Sequence, residues 1–166
     1  MDISVPIFKF HIKNWKTSKE KILSKVLSSA SSVPKNVKGE RCCKTSYFTP
    51  YNQEVYSEFL ELVLPAFNIM NKYGLTIDEV KHVWYQKYVK GDYHPKHNHD
   101  NGCKWSGIFY ANYDPEVHEQ TVFYTEEPLD LKIVEGDLVI FPGLLFHEVL
   151  PCETDKERII FSFNTV

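Results

Sequence analysis

The second half of this 166-residue chain consists of short β-branched and aromatic runs cut apart by turn signals. Val80 to Tyr88 alternates, and further strands are predicted at about 105–112, 119–125, 129–134, 137–141, 145–150 and 157–164. Gly91, Gly102, Asn112 to Pro115, Glu135-Gly136-Asp137 and Cys152 to Lys156 punctuate them. Many short strands at regular spacing bury their apolar faces by closing into a sandwich or barrel.

The first half reads as support for that core. Ile3 to Ile12 alternates enough for a short strand. Thr17-x-x-Glu20 reads as a capping box opening a helix from about 18 to about 31, with Ile22, Leu23, Val26, Leu27 and Ala30 on its apolar face. Ser31, Ser32 and Pro34 stop it, and residues 33–51 read as a loop that wraps the core or carries a lid. Asn52 caps a second helix with a stripe of Val55, Phe59, Leu62, Val63, Phe67 and Met70. Pro65 predicts a kink or two consecutive pieces, and Gly74 stands where a residue just past a helix end should. One domain is expected over 1–166, with 1–78 as helical support and loop and 79–166 as the β core.

Composition removes several function classes. The net charge of −3 offers no nucleic-acid surface, and Lys13, Lys16, Lys19, Lys21 and Lys25 read as a solvated helix face. No apolar run is long enough to span a bilayer, and Met1-Asp2 does not open a signal peptide. The four cysteines form neither a disulfide framework nor a Cys-x-x-Cys pair, so a reducing, cytoplasmic setting is expected. Cys103 lies near a histidine cluster and could be a soft ligand, although an idle buried thiol is the plainer reading.

That cluster carries the chemistry. In Tyr88 to Asp100, His97 and His99 are two apart, so an extended backbone puts both imidazoles on one face. His147, in Phe141-Pro142-Gly143-Leu144-Leu145-Phe146-His147-Glu148-Val149, is the candidate third ligand. Three ligands on one side of an octahedral metal leave three positions for substrate or dioxygen. Arg158, eleven residues after His147, is a cation in an apolar strand. Brought alongside the metal, it could hold a carboxylate bidentately; turned outward, it would pair with Glu157 or Asp155.

Together these pieces resemble the iron(II)- and 2-oxoglutarate-dependent oxygenases. Prolyl 4-hydroxylase-like members read Tyr-x-x-Gly-x-x-Tyr-x-x-His-x-Asp. Tyr88, Gly91 and His97 keep that spacing, with His94 where the second aromatic would stand and His99 where the Asp would stand. The family's Gly-Asp-Leu-Val-x-Phe-Pro…His segment is matched by Gly136 to Pro142 and His147, and its C-terminal Arg by Arg158. Trp105-Ser106-Gly107-Ile108-Phe109-Tyr110 and Arg158 through Asn164 are similar to small oxygenase-like proteins common in marine bacteria and their phages. The resemblance covers residues 80–166 well and the helical half loosely. It implies a mainly β fold with supporting α-helices, the double-stranded β-helix (jelly-roll, cupin-like). It also implies iron(II), 2-oxoglutarate and dioxygen, and hydroxylation of an unidentified substrate with release of succinate and CO2. A phage origin would place the protein in the host cytoplasm.

The chain departs from the family at two points. His99 occupies the carboxylate position, leaving three arrangements open: an all-His set of His97, His99 and His147; a shifted loop in which Asp100 supplies the carboxylate; or two His and a water. Spacing favours the first, because Asp100 points off the opposite face of an extended strand. Ile160 stands where relatives carry a Ser, so Ser162, Tyr88 and Tyr110 become candidates for helping Arg158 bind the far carboxylate. Asn164 and Trp84 are expected in the pocket wall, and residues 33–51 and 100–104 at its mouth. A three-His cupin-type dioxygenase without 2-oxoglutarate and a non-catalytic metal- or ligand-binding barrel are the rival readings.

Overall fold

The computed structural model describes residues 5–36, 38, 42–100 and 102–166. Strands β1 (Phe8–His11), β2 (Lys44–Thr45), β3 (Val80–Tyr88), β5 (Trp105–Asn112), β7 (Asp137–Pro142) and β9 (Arg158–Thr165) form one antiparallel sheet in the order β1-β7-β5-β9-β3-β2. Strands β4 (His94–His97), β8 (His147–Val149) and β6 (Val122–Phe123) form a smaller sheet in the order β4-β8-β6. Helices α1 (Trp15–Leu27) and α2 (Gln53–Lys72) join the large sheet on its outer side. This is the expected double-stranded β-helix, mainly β with two supporting helices.

The central strands are apolar on both faces because each face meets a different layer. On β9, Ile159, Phe161 and Phe163 pack toward the helices, and Ile160 belongs to the cluster between the sheets. On β5, Phe109 and Ala111 face the helices while Ile108 and Tyr110 face inward. The helix layer is locked by Trp15, whose Nε1–H donates to the Ala111 carbonyl at 2.9 Å and whose ring meets Phe109 edge-on at 4.8 Å. The inner layer joins Tyr88, Ile108, Tyr110 and Ile160 of the large sheet to Phe123 and Val149 of the small one. Alternation thus leaves Trp84, Gln86, Tyr88, Arg158, Ser162 and Asn164 on the inner face.

Several local expectations change. The α1 helix starts at Trp15 behind Asn14, and Thr17 lies inside it with its hydroxyl donating to the Asn14 carbonyl, so Thr17-x-x-Glu20 is not a capping box. The first strand is confined to Phe8–His11, and the start of the Ile3 to Ile12 expectation lies outside the described residues. Asn52 does cap α2, accepting from the Glu54 amide, and Gly74 follows it at φ 74°. Pro65 neither breaks nor divides α2, and it stands on the solvent-facing side of the helix. Residues 129–134 form no strand. Lys132 sits at φ 50°, and the Gln120 side chain bonds the Leu129 carbonyl and the Leu131 amide in place of a neighbouring strand. No helix among the described residues is long and apolar enough to cross a membrane.

Gly107 marks a close cross-strand contact within the large sheet, where it pairs with Phe163. A Cβ there would lie 2.1 Å from Phe163 Cζ, so the missing side chain lets that ring lie across β5. Phe163 in turn meets Phe67 of α2 at 5.3 Å. Gly107→Ala should destabilise the protein by about 1–3 kcal/mol or more, as overpacking a filled core does. Urea unfolding monitored by tryptophan fluorescence would read this; an unchanged midpoint would show that Phe163 can move aside.

Candidate metal centre

Strand pairing assembles the histidines. β4 pairs antiparallel with β8, and the register sets His97 directly opposite His147. His99 lies just past the end of β4, where its amide donates to the Gly143 carbonyl at 2.7 Å. Gly143 also donates to the Lys104 carbonyl, and a Cβ on it would lie 2.4 Å from the Cys103 carbonyl oxygen. The turn after β7 therefore clamps the segment carrying His99 against the segment carrying His147. The three rings stand at centroid separations of 4.3 Å (His97 to His147), 5.1 Å (His97 to His99) and 5.2 Å (His99 to His147). One nitrogen from each lies within 4.8 Å of the other two, and Asp100 and Cys103 are not part of this group.

Backbone carbonyls orient two of these imidazoles. His97 Nδ1 sits 2.8 Å from the Pro95 carbonyl and His147 Nδ1 3.0 Å from the Leu145 carbonyl. A carbonyl only accepts, so each ring carries its proton on Nδ1 and keeps the Nε2 lone pair free. His99 is held from a side chain: the Asn164 amide nitrogen lies 3.4 Å from its Nδ1, and Asn164 Oδ1 accepts from Ser106 Oγ at 2.8 Å. Reversing that amide, so that its oxygen faces His99, also closes the network: His99 Nδ1–H would donate to Asn164, Asn164 to Ser106, and the Ser106 hydroxyl to the Phe163 carbonyl at 3.4 Å. All three Nε2 atoms are then available as neutral ligands, the donor set a first-row divalent metal takes.

Burial keeps the rings neutral. Desolvation, then the charge of His97, pushes His147 down to about 3 and His99 to about 4, and desolvation lowers His97 as well.

Arg158 is a buried cation of the interior. It is 2 % exposed, its Nη2 donates to Thr121 Oγ1 at 3.0 Å, and its guanidinium lies over the rings of Tyr88, Tyr110 and Tyr113 at 5.2–5.9 Å. Among the described residues no carboxylate pairs with it, and its Nε is buried without a hydrogen-bond partner. The alternative of an outward Arg158 paired with Glu157 does not hold: Glu157 pairs with Lys87 instead. Tyr88 Oη lacks an oxygen or nitrogen partner and has only the Cys43 thiol beside it. Burial raises both, Cys43 to about 12 and Tyr88 well above its ordinary value, so both keep their protons. Tyr110 Oη accepts from the Thr121 amide, which leaves its own proton to donate, whereas the Ser162 Oγ proton is taken by Gln86.

A cavity of about 540 Å³ connects these features. The three histidines, Trp84, Ser162 and Asn164 line it, as do Tyr88 and Thr121, which touch Arg158; Arg158 itself lies one layer behind them. Its mouth is aromatic, with Tyr47, Phe48 and His82 leading inward to Trp84. Gln86, Thr121 and Gly143 escaped the sequence reading. The signal for Gln86 was an amide on the inward-facing positions of an otherwise buried strand.

The family described as "Putative 2OG-Fe(II) oxygenase" matches residues 117–164, less than half of the chain but including His147 and Arg158. No curated protein matches by sequence. A Pseudomonas putida prolyl-4-hydroxylase superposes with a TM-score of 0.72 at 18 % identity, covering 97 % of this chain and 92 % of that one. A Trichoplax adhaerens prolyl hydroxylase, solved with a hypoxia inducible factor peptide fragment, gives 0.71 at 14 % identity over 96 % and 82 %. The viral collagen prolyl hydroxylase of Paramecium Bursaria Chlorella virus-1, solved with 2OG, gives 0.63 at 15 % identity over 95 % and 94 %. The fold is that of the 2OG-Fe(II) oxygenases. The resemblance to that superfamily is carried by the whole fold and by the sequence of the C-terminal strands.

The depressed histidines give the metal-free protein an acid limb. The unfolded chain takes up protons near pH 6.5, while the buried rings resist down to about 3–4. Stability is therefore complete above about pH 6.5 and falls as the pH drops from there toward about 4. Urea midpoints near neutrality and at about pH 5 should show that loss, and His147→Gln should flatten it. Equal slopes in the two proteins would show that His147 is not held neutral by burial.

Proposed function

We propose that this chain is an iron(II)- and 2-oxoglutarate-dependent oxygenase, acting as one domain over residues 1–166, with His97, His99 and His147 as its metal ligands. The observation that carries the proposal is Arg158: a buried guanidinium without an acidic partner among the described residues, behind the wall of a cavity lined by three convergent histidines. An unpaired buried charge is costly, so such a residue implies a bound anion. When bound, iron(II) and 2-oxoglutarate would supply the oxidation: the co-substrate is split to succinate and CO2 as dioxygen hydroxylates a C–H bond of the substrate.

The protein residues do the positioning. His97 and His147 present Nε2 because the Pro95 and Leu145 carbonyls hold their protons on Nδ1. His99 completes the set through Asn164 and Ser106. Arg158 takes the far carboxylate bidentately, with Tyr88 Oη as a protonated donor beside it and Thr121 fixing the guanidinium plane. Tyr110 and Tyr113 wall the guanidinium off from water. Three neutral ligands leave the metal its full double charge, which strengthens its hold on a dianion. The aromatic mouth from Phe48 to Trp84 receives the primary substrate.

The all-His ligand set also suits a dioxygenase that uses no 2-oxo acid, and Arg158 separates the two readings. Under anaerobic conditions, iron(II) and 2-oxoglutarate together should give a weak visible charge-transfer band. Arg158→Met should weaken 2-oxoglutarate binding by about a hundredfold or more, since stranding one partner of a buried ion pair costs about 3–5 kcal/mol. The same substitution should raise the urea midpoint of the ligand-free protein, because it removes a desolvated charge. Iron binding without the band would favour the three-His dioxygenase that uses no 2-oxoglutarate. No iron binding would end the enzyme reading.

A further inference from the structure

A fourth histidine, His94, lines the same cavity, with its ring 4.3 Å from that of His97, yet it stands outside the three-nitrogen group. Its Nδ1 faces not a carbonyl but the Gln86 amide nitrogen, at 2.8 Å. An amide nitrogen donates and does not accept, so that Nδ1 must be bare. Turning the Gln86 amide round would cost a hydrogen bond. Ser162 is buried, and the only acceptor for its hydroxyl among the described residues is Gln86 Oε1, at 3.0 Å. With the amide reversed, the Ser162 proton would have no acceptor among the described residues. In the observed sense every group is used: Ser162 donates to Gln86 Oε1, and Gln86 Nε2 donates to His94 and points at Cys43 Sγ at 4.0 Å. A neutral imidazole accepting at Nδ1 carries its one proton on Nε2. His94 therefore has the opposite tautomer to His97 and His147.

Its level in the cavity says what that proton meets. Trp84, Gln86 and Tyr88 are successive inward residues of β3. The Trp84 ring lies 6.3 Å from His99, and Tyr88 lies beneath the Arg158 guanidinium. Gln86, and His94 with it, stands between these two levels. His94 therefore lines the cavity between the level of the three histidines and that of Arg158.

We propose that His94 is a fixed hydrogen-bond donor, its Nε2–H engaging an oxygen of the 2-oxo acid group, and that Gln86 and Ser162 are positioning residues that set its tautomer. This rests on the 2-oxoglutarate reading above. A metal ligand is excluded from that role, because its free nitrogen must offer a lone pair, whereas His94 is held the other way round.

Two measurements test it. In the ¹⁵N-histidine-labelled, metal-free protein, long-range ¹H–¹⁵N spectra should show His94 as the Nε2–H tautomer and His97 and His147 as Nδ1–H. Ser162→Ala with Gln86→Leu should release His94 to a mixture while leaving the other two unchanged. An Nδ1–H His94 in the wild-type protein would overturn the proposal without any variant. In anaerobic titrations of the iron(II) protein, His94→Phe should bind iron(II) as the wild type does but bind 2-oxoglutarate about tenfold or more weaker, with His94→Gln recovering part of the loss. Equal 2-oxoglutarate affinity in His94→Phe and wild type would refute the donor role alone. Failure of the wild type itself to bind 2-oxoglutarate would instead remove the co-substrate reading, and the donor's partner with it.

Discussion

The antiparallel pairing of β4 with β8 is the contact on which the site depends. It fixes His97 opposite His147 by backbone hydrogen bonding, before any ligand is considered. The pair sits in a three-stranded sheet, whose short strands would be marginal alone. What holds that sheet in place is the inner apolar layer, where Phe123 and Val149 pack with Ile108, Tyr110 and Ile160 of the large sheet. The large sheet is stiffened from its other side by α1 and α2 through Trp15, Phe59 and Phe67. Helix packing, sheet flatness and histidine geometry are therefore one chain of dependence. A loosened Phe163 contact at Gly107 would be felt at the cavity wall through β5 and β9, which are paired along most of their length.

Much of this was legible in the sequence because the signals were periodic. The strands at 105–112 and 137–141 are found at Trp105–Asn112 and Asp137–Pro142, where uninterrupted apolar runs reflect burial on both faces. The cap at Asn52 and the stop at Gly74 were readable because each has a local mechanism. The failures share a cause as well. Thr17 and Glu20 matched a capping pattern, but tertiary packing of Trp15 drew the helix start back by one turn. Residues 129–134 alternate as a strand does, and Leu129, Leu131 and Ile133 do pack inward, yet the partner is the Gln120 side chain. Alternation reports which side is buried, not what supplies the hydrogen bonds.

The candidate site divides in the same way. Histidine spacing pointed to His97, His99 and His147, and an isolated cation in an apolar strand pointed to Arg158. The groups that give those residues their chemical state lie far away in sequence. Gln86 meets His94 and Ser162 from another strand, and Gly143 meets His99 from the turn after β7. No local pattern announces such contacts, because they depend on register between strands brought together only by the fold.

The cavity's charge balance follows from these placements. The cluster of three histidines contributes no charge of either sign, because burial and mutual proximity keep the rings neutral. Behind the opposite wall, Arg158 contributes one positive charge that Tyr88, Tyr110 and Tyr113 shield but do not neutralise. A divalent metal on the histidines would thus leave the interior strongly positive. An acidic ligand in place of His99 would offset part of that charge; an imidazole there passes the whole requirement for negative charge to the molecules that bind. A doubly anionic chelator satisfies both ends at once, and a neutral ligand would leave Arg158 uncompensated. The histidine at the position of the usual carboxylate and the buried, unpaired arginine are in this sense a single electrostatic design. Losing either would change which ligand the cavity can hold.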